Sequence, residues 1–329
     1  MKDPRALASI PPLTPEPESL QLSADQIQEL ERNVLQVFRG KREVVRLAIV
    51  TLLARGHLLI EDVPGVGKTT LAQALARSLG LSFQRIQCTS DLLPSDILGV
   101  TIWNQREQRF EFVPGPIFAS ILLVDEINRA TPKTQSALLE AMSEGRITVE
   151  RRTYDLPNPF LVLATQNPQE HSGTFFLPES QLDRFLLHLR LGYPDPASER
   201  QLILLGGVEE ELANLRPVWS AHQLIELQDR VRSVHVAESI GDYILALVEA
   251  TRRSDALRLG VSTRAALGIC RAAQAWALCE GRMFVVPDDV KRLFLPVLAH
   301  RVVLRRGSGD LDQASAVLQQ ILDNTPVPI

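Results

Sequence analysis

Five short apolar runs lie along residues 23–192, separated by stretches in which apolar residues recur with helical spacing. The run at 121–124 is wholly apolar, which is typical of a strand buried on both faces of a sheet, whereas the run at 83–88 alternates between apolar and polar residues. Helical spacing follows at 71–79 and at 134–142. Strands that alternate with helices predict a five-stranded parallel α/β sheet between helices. The predicted strands are 58–60, 83–88, 121–124, 160–164 and 185–191.

Two further segments have β-prone runs on either side of a polar tip, which predicts two β-hairpin insertions. The first occupies 99–118 and the second occupies 146–155. Beyond the sequence Gly-Tyr-Pro-Asp-Pro at 192–196, only helical spacing follows. This change predicts a separate helical domain. Its helices are expected at 199–205, 221–231, 239–251, 263–278 and 287–300.

The first residues differ from the rest of the chain. Residues 1–22 contain five prolines and no aromatic residue, so we expect a disordered arm there. Ser23 has the character of an N-cap with an acidic first turn after it, which predicts a helix to about residue 37. The predicted domains are an arm at 1–22, an α/β core at 23–192 and a helical domain at 193–329.

Composition narrows the class of protein. The chain has 329 residues, of which 45% are hydrophobic, and a net charge of −4, which argues against a dedicated nucleic-acid binder. Cys88, Cys270 and Cys279 have no metal-binding spacing and are typical of reduced core residues. No apolar run reaches the roughly 18 residues of a membrane span, and no signal peptide is visible. We therefore expect a cytoplasmic protein without membrane insertion.

Residues 60–70 combine the end of a strand, a glycine-rich turn and the start of a helix. Such a turn directs backbone N–H groups and the positive end of a helix dipole toward an anion. Lys68 is expected to reach the β- and γ-phosphates of ATP, and the Thr69 hydroxyl to hold Mg²⁺. The strict pattern has a glycine where this chain has Asp62. The predicted nucleotide-binding residues here are Pro64, Gly65, Val66, Gly67, Lys68, Thr69 and Thr70.

Polar side chains also follow two of the other predicted strands. Asp125 and Glu126 end an apolar run, and in an open α/β sheet ligands bind at the carboxyl ends of the strands. We expect Asp125 to hold the Mg²⁺ water shell and Glu126 to polarise a water for attack on the γ-phosphate. Asn167 follows the strand at 160–164 and could orient that water or contact the γ-phosphate.

Four segments together resemble the AAA+ ATPases and, within them, the MoxR family. The resemblance implies an AAA+ P-loop core and a helical lid, with Lys68 as the Walker A lysine. It also implies that Asp125 and Glu126 form the Walker B pair and that Asn167 is the sensor 1 residue. The segments are Glu-Asp-Val-Pro-Gly-Val-Gly-Lys-Thr at 61–69, Val-Asp-Glu-Ile-Asn-Arg-Ala at 124–130, Ala-Thr-Gln-Asn-Pro at 164–168 and Leu-Pro-Glu-Ser-Gln-Leu-Asp-Arg-Phe at 177–185.

Two arginines gain roles from the same resemblance. Arg184 lies where the family places its arginine finger, which reaches the γ-phosphate of the neighbouring subunit and stabilises the transferring phosphoryl group. Arg264, within Gly-Val-Ser-Thr-Arg-Ala at 260–265, resembles the sensor 2 signature and would point at nucleotide. A cation is not favoured in the first turn of a helix, so Arg264 needs an anion nearby. One departure is Arg-Gly-Lys at 39–41, where relatives usually carry Val-Gly-Gln.

The resemblance implies an ATPase that assembles into a ring, expected to be a hexamer, and remodels or matures a client protein. Such clients often contain von Willebrand factor A domains, and metal insertion or complex assembly is the usual proposed role. Three alternatives stay open. A nucleic-acid motor or loader would show DNA-stimulated ATPase activity with a steep salt dependence. A metal-chelatase subunit would be required for a magnesium–porphyrin product, and a scaffold would bind nucleotide without turnover.

Overall fold

A five-stranded parallel sheet lies at the centre of the α/β part of the protein, as the sequence predicts. The structure, a computed structural model, describes residues 17–167, 174–306 and 311–327. The spatial order of the sheet is β2-β5-β8-β1-β9, and every neighbouring pair is parallel. The strands of the described chain are β1 (Leu58–Glu61), β2 (Phe83–Gln87), β3 (Gly99–Asn104), β4 (Arg109–Pro114), β5 (Ile121–Asp125), β6 (Arg146–Val149), β7 (Arg152–Asp155), β8 (Leu161–Gln166), β9 (Leu187–Leu189), β10 (Leu257–Leu259) and β11 (Val303–Leu304).

Helices cover both faces of the sheet and form most of the remaining chain. Short 3₁₀ turns at Pro116–Phe118, Ile127–Arg129 and Ala299–Arg301 add to them. The helices are α1 (Pro17–Val37), α2 (Arg42–Leu53), α3 (Lys68–Ser78), α4 (Pro94–Leu98), α5 (Pro132–Glu144), α6 (Glu179–Leu182), α7 (Pro196–Leu205), α8 (Glu209–Asn214), α9 (Ala221–Arg232), α10 (Glu238–Arg253), α11 (Thr263–Cys279), α12 (Pro287–Leu298) and α13 (Leu311–Asn324).

The central strands divide their apolar side chains between two cores. On β5, Leu123 joins a core that contains α1 to α3 and the C-terminal helices, while Leu122 and Val124 face a second core with α5. This alternation follows from the two-residue period of a strand. Because both faces are covered, the central strands are fully buried, which explains why their sequences are continuous apolar runs.

Both predicted hairpins are present. Strands β3 and β4 pair antiparallel along their whole length, as do β6 and β7. The two hairpins contact each other where the rings of Phe112 and Tyr154 stack with centroids 4.1 Å apart. At the end of the first hairpin, the rings of Trp103 and Phe110 meet edge to face and remain exposed.

The region after residue 192 is mainly helical, as predicted. All five helices that the spacing predicts are found, with ends shifted by up to three residues. The helices α8 and α13 and the two-stranded ribbon of β10 and β11 are not predicted by the apolar spacing. Helix α8 is a short surface helix, and β10 and β11 are far apart in the chain, so neither leaves a strong local pattern.

The N-terminal helix starts earlier than the sequence predicts. We expected a disordered arm to continue to residue 22, but α1 begins at Pro17. A proline is tolerated in the first turn of a helix because no backbone N–H is needed there. The rest of the predicted arm, residues 1–16, lies outside the described part of the chain. Within the described part, every helix is too short or too polar to cross a membrane.

The proposed domain boundary at 192–193 does not divide the apolar core. Buried residues from α1 and α2, such as Ile27 and Ile49, belong to the same core cluster as Trp276 of α11 and Leu318 of α13. The N-terminal helices therefore connect the sheet to the helical region. This packing fixes the position of the helical region relative to the sheet, although the boundary in the chain remains a proposal.

Candidate active site

The glycine-rich turn links β1 to α3. Gly65 and Gly67 have φ values of 84° and 96°, which only glycine adopts without strain. Gly67 is the N-cap of α3, so the free backbone N–H groups of the first helical turn begin at Lys68. A Cβ atom at Gly67 would lie 3.0 Å from the Phe38 ring, a second reason for glycine at this position. The turn therefore has the geometry of an anion-binding loop.

Asp62, which replaces a glycine of the strict phosphate-loop pattern, has two structural contacts. Its Oδ1 accepts a hydrogen bond from the Val63 backbone N–H at 2.8 Å, and its Oδ2 accepts one from the Gly192 backbone N–H at 2.6 Å. Gly192 lies where the chain leaves the sheet for the helical region. The aspartate thus fastens the phosphate loop to the connection between the two parts of the protein, a contact that glycine could not make.

Lys41 reinforces the same connection. Its buried Nζ donates to the backbone carbonyl of Val66 at 3.2 Å and also to that of Gly192. Burial lowers the pKa of Lys41, and the nearby Asp62 carboxylate opposes this change. Lysine therefore occupies the end of the unusual Arg-Gly-Lys segment as a donor to two backbone carbonyls, a role for which glutamine has fewer donors.

Asp125 ends β5 in a buried position with both carboxylate oxygens engaged. Oδ1 accepts a hydrogen bond from the Thr165 hydroxyl at 3.1 Å, and Oδ2 accepts one from Arg85 Nε at 2.6 Å. The strand order explains these partners, because β5 lies between β8, which carries Thr165, and β2, which carries Arg85. The carboxylate is therefore held in one orientation at the carboxyl edge of the sheet.

Glu126 has a strained backbone conformation. Its φ and ψ are 56° and 49°, in the left-handed region that non-glycine residues rarely occupy. Its backbone N–H donates to Thr165 Oγ1 at 2.9 Å, and its Oε2 accepts hydrogen bonds from Gln87 Nε2 and Arg129 Nη1, each at 3.0 Å. Two neighbouring elements thus direct the side chain, and a third holds the backbone.

The phosphate-loop lysine lies close to these acids. Lys68 Nζ donates to the Asp62 backbone carbonyl at 2.6 Å. Burial lowers the pKa of Lys68. The carboxylates of Asp62, Asp125 and Glu126 are near enough to oppose this shift. The fold therefore brings the Lys68 ammonium group and three carboxylates together at the carboxyl ends of β1 and β5.

The structure gathers most of the predicted site residues at one edge of the sheet. Strands β5, β8 and β1 are neighbours, so Glu126, Asn167 and the phosphate loop follow adjacent strands. Asn167 is buried, with 8% of its surface exposed. Thr69 and Thr70 begin α3 beside them and are half-buried. These residues form a crevice at the carboxyl ends of the strands, where α/β sheets bind ligands.

Arg184 and Arg264 lie at the opposite side of the sheet, near the amino ends of the strands. The backbone N–H of Leu186 donates to the carbonyl of His57, just before β1, so the turn that carries Arg184 is next to the amino end of that strand. From His57 to Asp62 the backbone advances about 16 Å. Both arginines line a cleft of about 500 Å³ beside His57. Neither is therefore placed next to the phosphate loop of its own chain.

This cleft is strongly basic. It is lined by five arginines and one aspartate, Asp183. Among the residues that the structure describes, no hydrogen-bond acceptor reaches the buried Nε and Nη1 of Arg184. Buried donors without a partner are costly, so an acceptor that reached this guanidinium would stabilise it. The arginines are Arg55, Arg184, Arg264, Arg271 and Arg301.

Comparison with known proteins agrees with this architecture. Residues 57–187 match the ATPase family associated with various cellular activities (AAA), and residues 249–321 match the AAA lid domain. The chain is 41% identical to the chaperone MoxR1 of Mycobacterium tuberculosis, over 93% of this chain and 84% of that protein. The chain belongs to the MoxR family of AAA+ ATPases. The resemblance carried by the four sequence segments is confirmed.

Two further relatives match over nearly the whole chain. The uncharacterized protein YeaC of Bacillus subtilis is 47% identical over 90% of this chain and 93% of its own length. The crystal structure of a candidate ATPase from Cytophaga hutchinsonii matches with a TM-score of 0.85 and 35% identity, covering 94% of this chain and 97% of that one. The AAA+ core and helical lid predicted from the sequence are thus confirmed.

Several contacts of this MoxR-family site were not predicted from the sequence. Arg85 and Gln87 lie on one face of β2 and contact the two acids that follow β5, and Arg129 contacts Glu126 from the next turn. The sequence places Arg85 and Gln87 on a predicted strand but does not say which strand is its neighbour. The two-residue spacing of Arg85 and Gln87 indicates that they share one face of the strand. Only the strand order shows that this strand lies beside β5 and its two acids.

The oxygen donors at this site fit a magnesium ion. Mg²⁺ is usually held by one or two protein oxygens together with phosphates and waters. Thr69 offers a hydroxyl in the first turn of α3, and Asp125 offers a buried carboxylate across the crevice. Because so few protein ligands are needed, the absence of a cluster of three ligating side chains in the described chain does not conflict with this fit.

Proposed function

We propose that this chain hydrolyses ATP at a site shared between two copies of itself in a ring. The observation that carries the proposal is the separation of the predicted site residues. The phosphate loop, Glu126 and Asn167 lie at one edge of the sheet, while Arg184 and Arg264 lie in a basic cleft at the other. A second copy that places its cleft against the crevice would complete the site.

The residues at the crevice have separate tasks in this reaction. Lys68 and the N–H groups of the loop bind the β- and γ-phosphates, for which Lys68 must leave the Asp62 carbonyl. Glu126 accepts a proton from, or orients, the attacking water, and Asn167 helps to hold that water. Mg²⁺ held by Thr69 and Asp125 would neutralise charge on the phosphates. The loop residues from Pro64 to Thr70 complete the nucleotide contacts.

The two arginines serve the site of the next copy. An arginine finger stabilises the charge that develops on the transferring phosphoryl group. The unpaired Nε and Nη1 donors of Arg184 support this assignment, because the γ-phosphate would supply the acceptors they lack in the described chain. Arg264, at the start of α11 in the same cleft, is exposed and would contact phosphate oxygens beside Arg184.

The work of the ring is the remodelling or maturation of a client protein. The name of the M. tuberculosis relative, a chaperone, supports this proposal. We extend it to a hexamer, to a client with a von Willebrand factor A domain, and to metal insertion or complex assembly as the outcome. A cytoplasmic location is in keeping with three free cysteines, Cys88, Cys270 and Cys279.

Two variants of the crevice test the hydrolysis. Lys68→Ala should abolish binding of a fluorescent ATP analogue, because the loop loses its only side-chain ammonium. Glu126→Gln should keep that affinity within about twofold and lower kcat by about a hundredfold or more, the range of a catalytic base. Unchanged affinity in the first variant, or brisk turnover in the second, would overturn the assignment of the site.

The Glu126→Gln variant also tests the client. If hydrolysis releases the client, the trapped ATP state should retain it. The variant would be immobilised and incubated with ATP and a purified von Willebrand factor A domain protein encoded by the same organism, with Lys68→Ala as the matched control. Retention by the first variant alone supports the proposal. Equal retention by both would contradict an ATP-dependent client interaction.

A further inference from the structure

A buried arginine of the lid holds the turn that carries Arg184. Arg301 belongs to the 3₁₀ turn Ala299–Arg301 after α12, and 6% of its surface is exposed. Its Nη1 donates to Asp183 Oδ1 at 3.2 Å. Its Nη2 donates to the Phe185 backbone carbonyl and to the Leu186 carbonyl at 3.3 Å. One guanidinium thus contacts the residues on both sides of Arg184.

A second lid residue contacts the same turn. Ser262, the N-cap of α11, donates from Oγ to the two carboxylate oxygens of Asp183 at 3.1 and 3.3 Å, while the same Oγ accepts the Ala265 backbone N–H at 3.0 Å. Arg264 lies two residues further along this helix. The lid therefore reaches the turn from two elements that are distant in sequence, and both contacts converge on Asp183.

This arrangement is energetically costly for the lid. Burial lowers the pKa of Arg301 to about 10, and the Asp183 carboxylate opposes this change. A buried charge is tolerated only when it is paired and its donors are satisfied. A lid that needed only adhesion to the core could use apolar side chains at this position at lower cost. The arginine provides directional hydrogen bonds instead.

We infer that Arg301 is a positioning residue for Arg184: it couples the position of the lid in one subunit to the arginine that the subunit offers to its neighbour. This rests on the proposed function, in which Arg184 acts across the interface. The connection that leads into the lid is fastened to the phosphate loop of its own subunit by Asp62 and Lys41 at Gly192. A change at one nucleotide site can therefore reach the next through the lid and Arg301.

A merely structural role for Arg301 would give different results. A structural contact would lower stability and would impair every property of its own subunit, including nucleotide binding. A positioning contact should leave nucleotide binding nearly unchanged and impair the site of the neighbour. The defect would then be directional, and mixing subunits would reveal the direction.

The experiment compares Arg301→Lys with Arg282→Lys. Arg282 is a lid arginine in a comparable ion pair with the buried Asp289, at 2.6 Å, but it contacts neither the turn nor the cleft. Arg301→Lys should lower kcat about ten- to a hundredfold, because displacing a catalytic group by about 1 Å has a cost of this size. The Kd for a fluorescent ATP analogue should change less than twofold. Arg282→Lys should change kcat less than threefold at equal folded fraction.

Mixing then tests the direction. Lys68→Ala subunits cannot use ATP but carry an intact Arg301 and Arg184, so adding them to Arg301→Lys subunits should restore part of the activity. A kcat close to wild type in Arg301→Lys, or no restoration in mixed rings, would overturn the inference. The pair Lys68→Ala with Arg184→Ala is run beside it. Failure of that pair would overturn the shared site itself, which separates the two proposals.

A second variant covers the case in which Arg301→Lys does not fold. Asp183→Asn keeps the shape of the side chain and an acceptor for Ser262, but it removes the charge that pairs with Arg301. It should reproduce the loss of kcat, unchanged nucleotide affinity and directional restoration. Wild-type kcat in a folded Asp183→Asn variant would contradict the inference.

Discussion

Among single residues, Arg85 has the clearest consequence for the chemistry of the crevice. Its Nε is 2.6 Å from Asp125 Oδ2, and it reaches this carboxylate from the edge strand β2 with half of its side chain exposed. The guanidinium and Mg²⁺ are both cations that Asp125 can pair with. They therefore compete for the same carboxylate, and the exposed arginine is the one free to move away.

Replacing Arg85 should ease the binding of magnesium. In Arg85→Gln, the Mg²⁺ concentration that gives half-maximal binding of a fluorescent ATP analogue should fall about two- to fivefold, since the variant removes a competing ion pair that contributes about 0.4–1 kcal/mol. A magnesium titration measured by fluorescence anisotropy checks this. Arg109→Gln, on the hairpin of β3 and β4, removes the same charge elsewhere and should show no shift. An unchanged or higher magnesium requirement in Arg85→Gln would contradict the competition.

Among the elements, β1, β8 and α5 are joined by one histidine. The Nδ1 of His57 accepts the Val162 backbone N–H at 3.1 Å, and its Nε2 donates to the Met142 carbonyl at 3.1 Å. The ring must be neutral to make both bonds, and burial lowers its pKa to about 4. Protonation therefore favours the unfolded chain, in which the imidazole is solvated.

The free energy of unfolding should fall as the pH falls through this range. Between the unfolded pKa near 6.5 and the folded pKa of about 4, the unfolded state binds more protons, so stability is lost on acidification. This residue alone should contribute a loss of about 2 kcal/mol between pH 8 and pH 5. Burial also lowers the pKa of His300, which acts in the same direction.

Urea unfolding at pH 8 and pH 5 would measure this effect. His57→Gln should be less stable at pH 8 but should lose less stability on acidification than the wild type. His222→Gln is the matched control, because it makes the same replacement at an exposed position of α9. If His57→Gln keeps the full wild-type loss, other groups are responsible for the acid sensitivity.

For the whole molecule, the two edges of the sheet have different compositions. The carboxyl edge carries the phosphate loop and the acids, and the amino edge carries the basic cleft. The resemblance to the family led us to expect Arg264 to point at nucleotide, without deciding whose. Its position in the cleft with Arg184 favours the nucleotide of the neighbouring subunit, where the anion that its helix terminus requires would be supplied.

The ATPase activity of Arg264→Ala should therefore be restored by subunits that carry an intact Arg264. Alone it should lose most ATPase activity, since a trans arginine can contribute a thousandfold or more. Mixed with Lys68→Ala subunits it should regain a measurable part, provided mixed assembly is shown by tagged subunits. Glu126→Gln mixed with Lys68→Ala is the control and should stay inactive, because both changes lie at the same edge. Absence of restoration for Arg264→Ala would place this arginine in the site of its own chain.

The sequence by itself determined the parts of this protein that depend on neighbours in the chain. The strand, glycine turn and helix around Lys68, the acids at 125 and 126, and both hairpins follow from local patterns of two- and 3.6-residue period and from turn chemistry. The start of α1 was missed because a proline is compatible with a first helical turn as well as with an extended arm.

The tertiary structure decided which of these parts meet. The order β2-β5-β8-β1-β9 puts Arg85 beside Asp125, and the packing of the lid puts Arg301 around the turn at Arg184. The structural role of Asp62 depends on the fold, which brings the Gly192 backbone N–H within hydrogen-bond distance of its carboxylate. These contacts join residues 40 to 130 positions apart. Local periodicity carries no record of such pairings, because they are selected by how whole strands and helices pack.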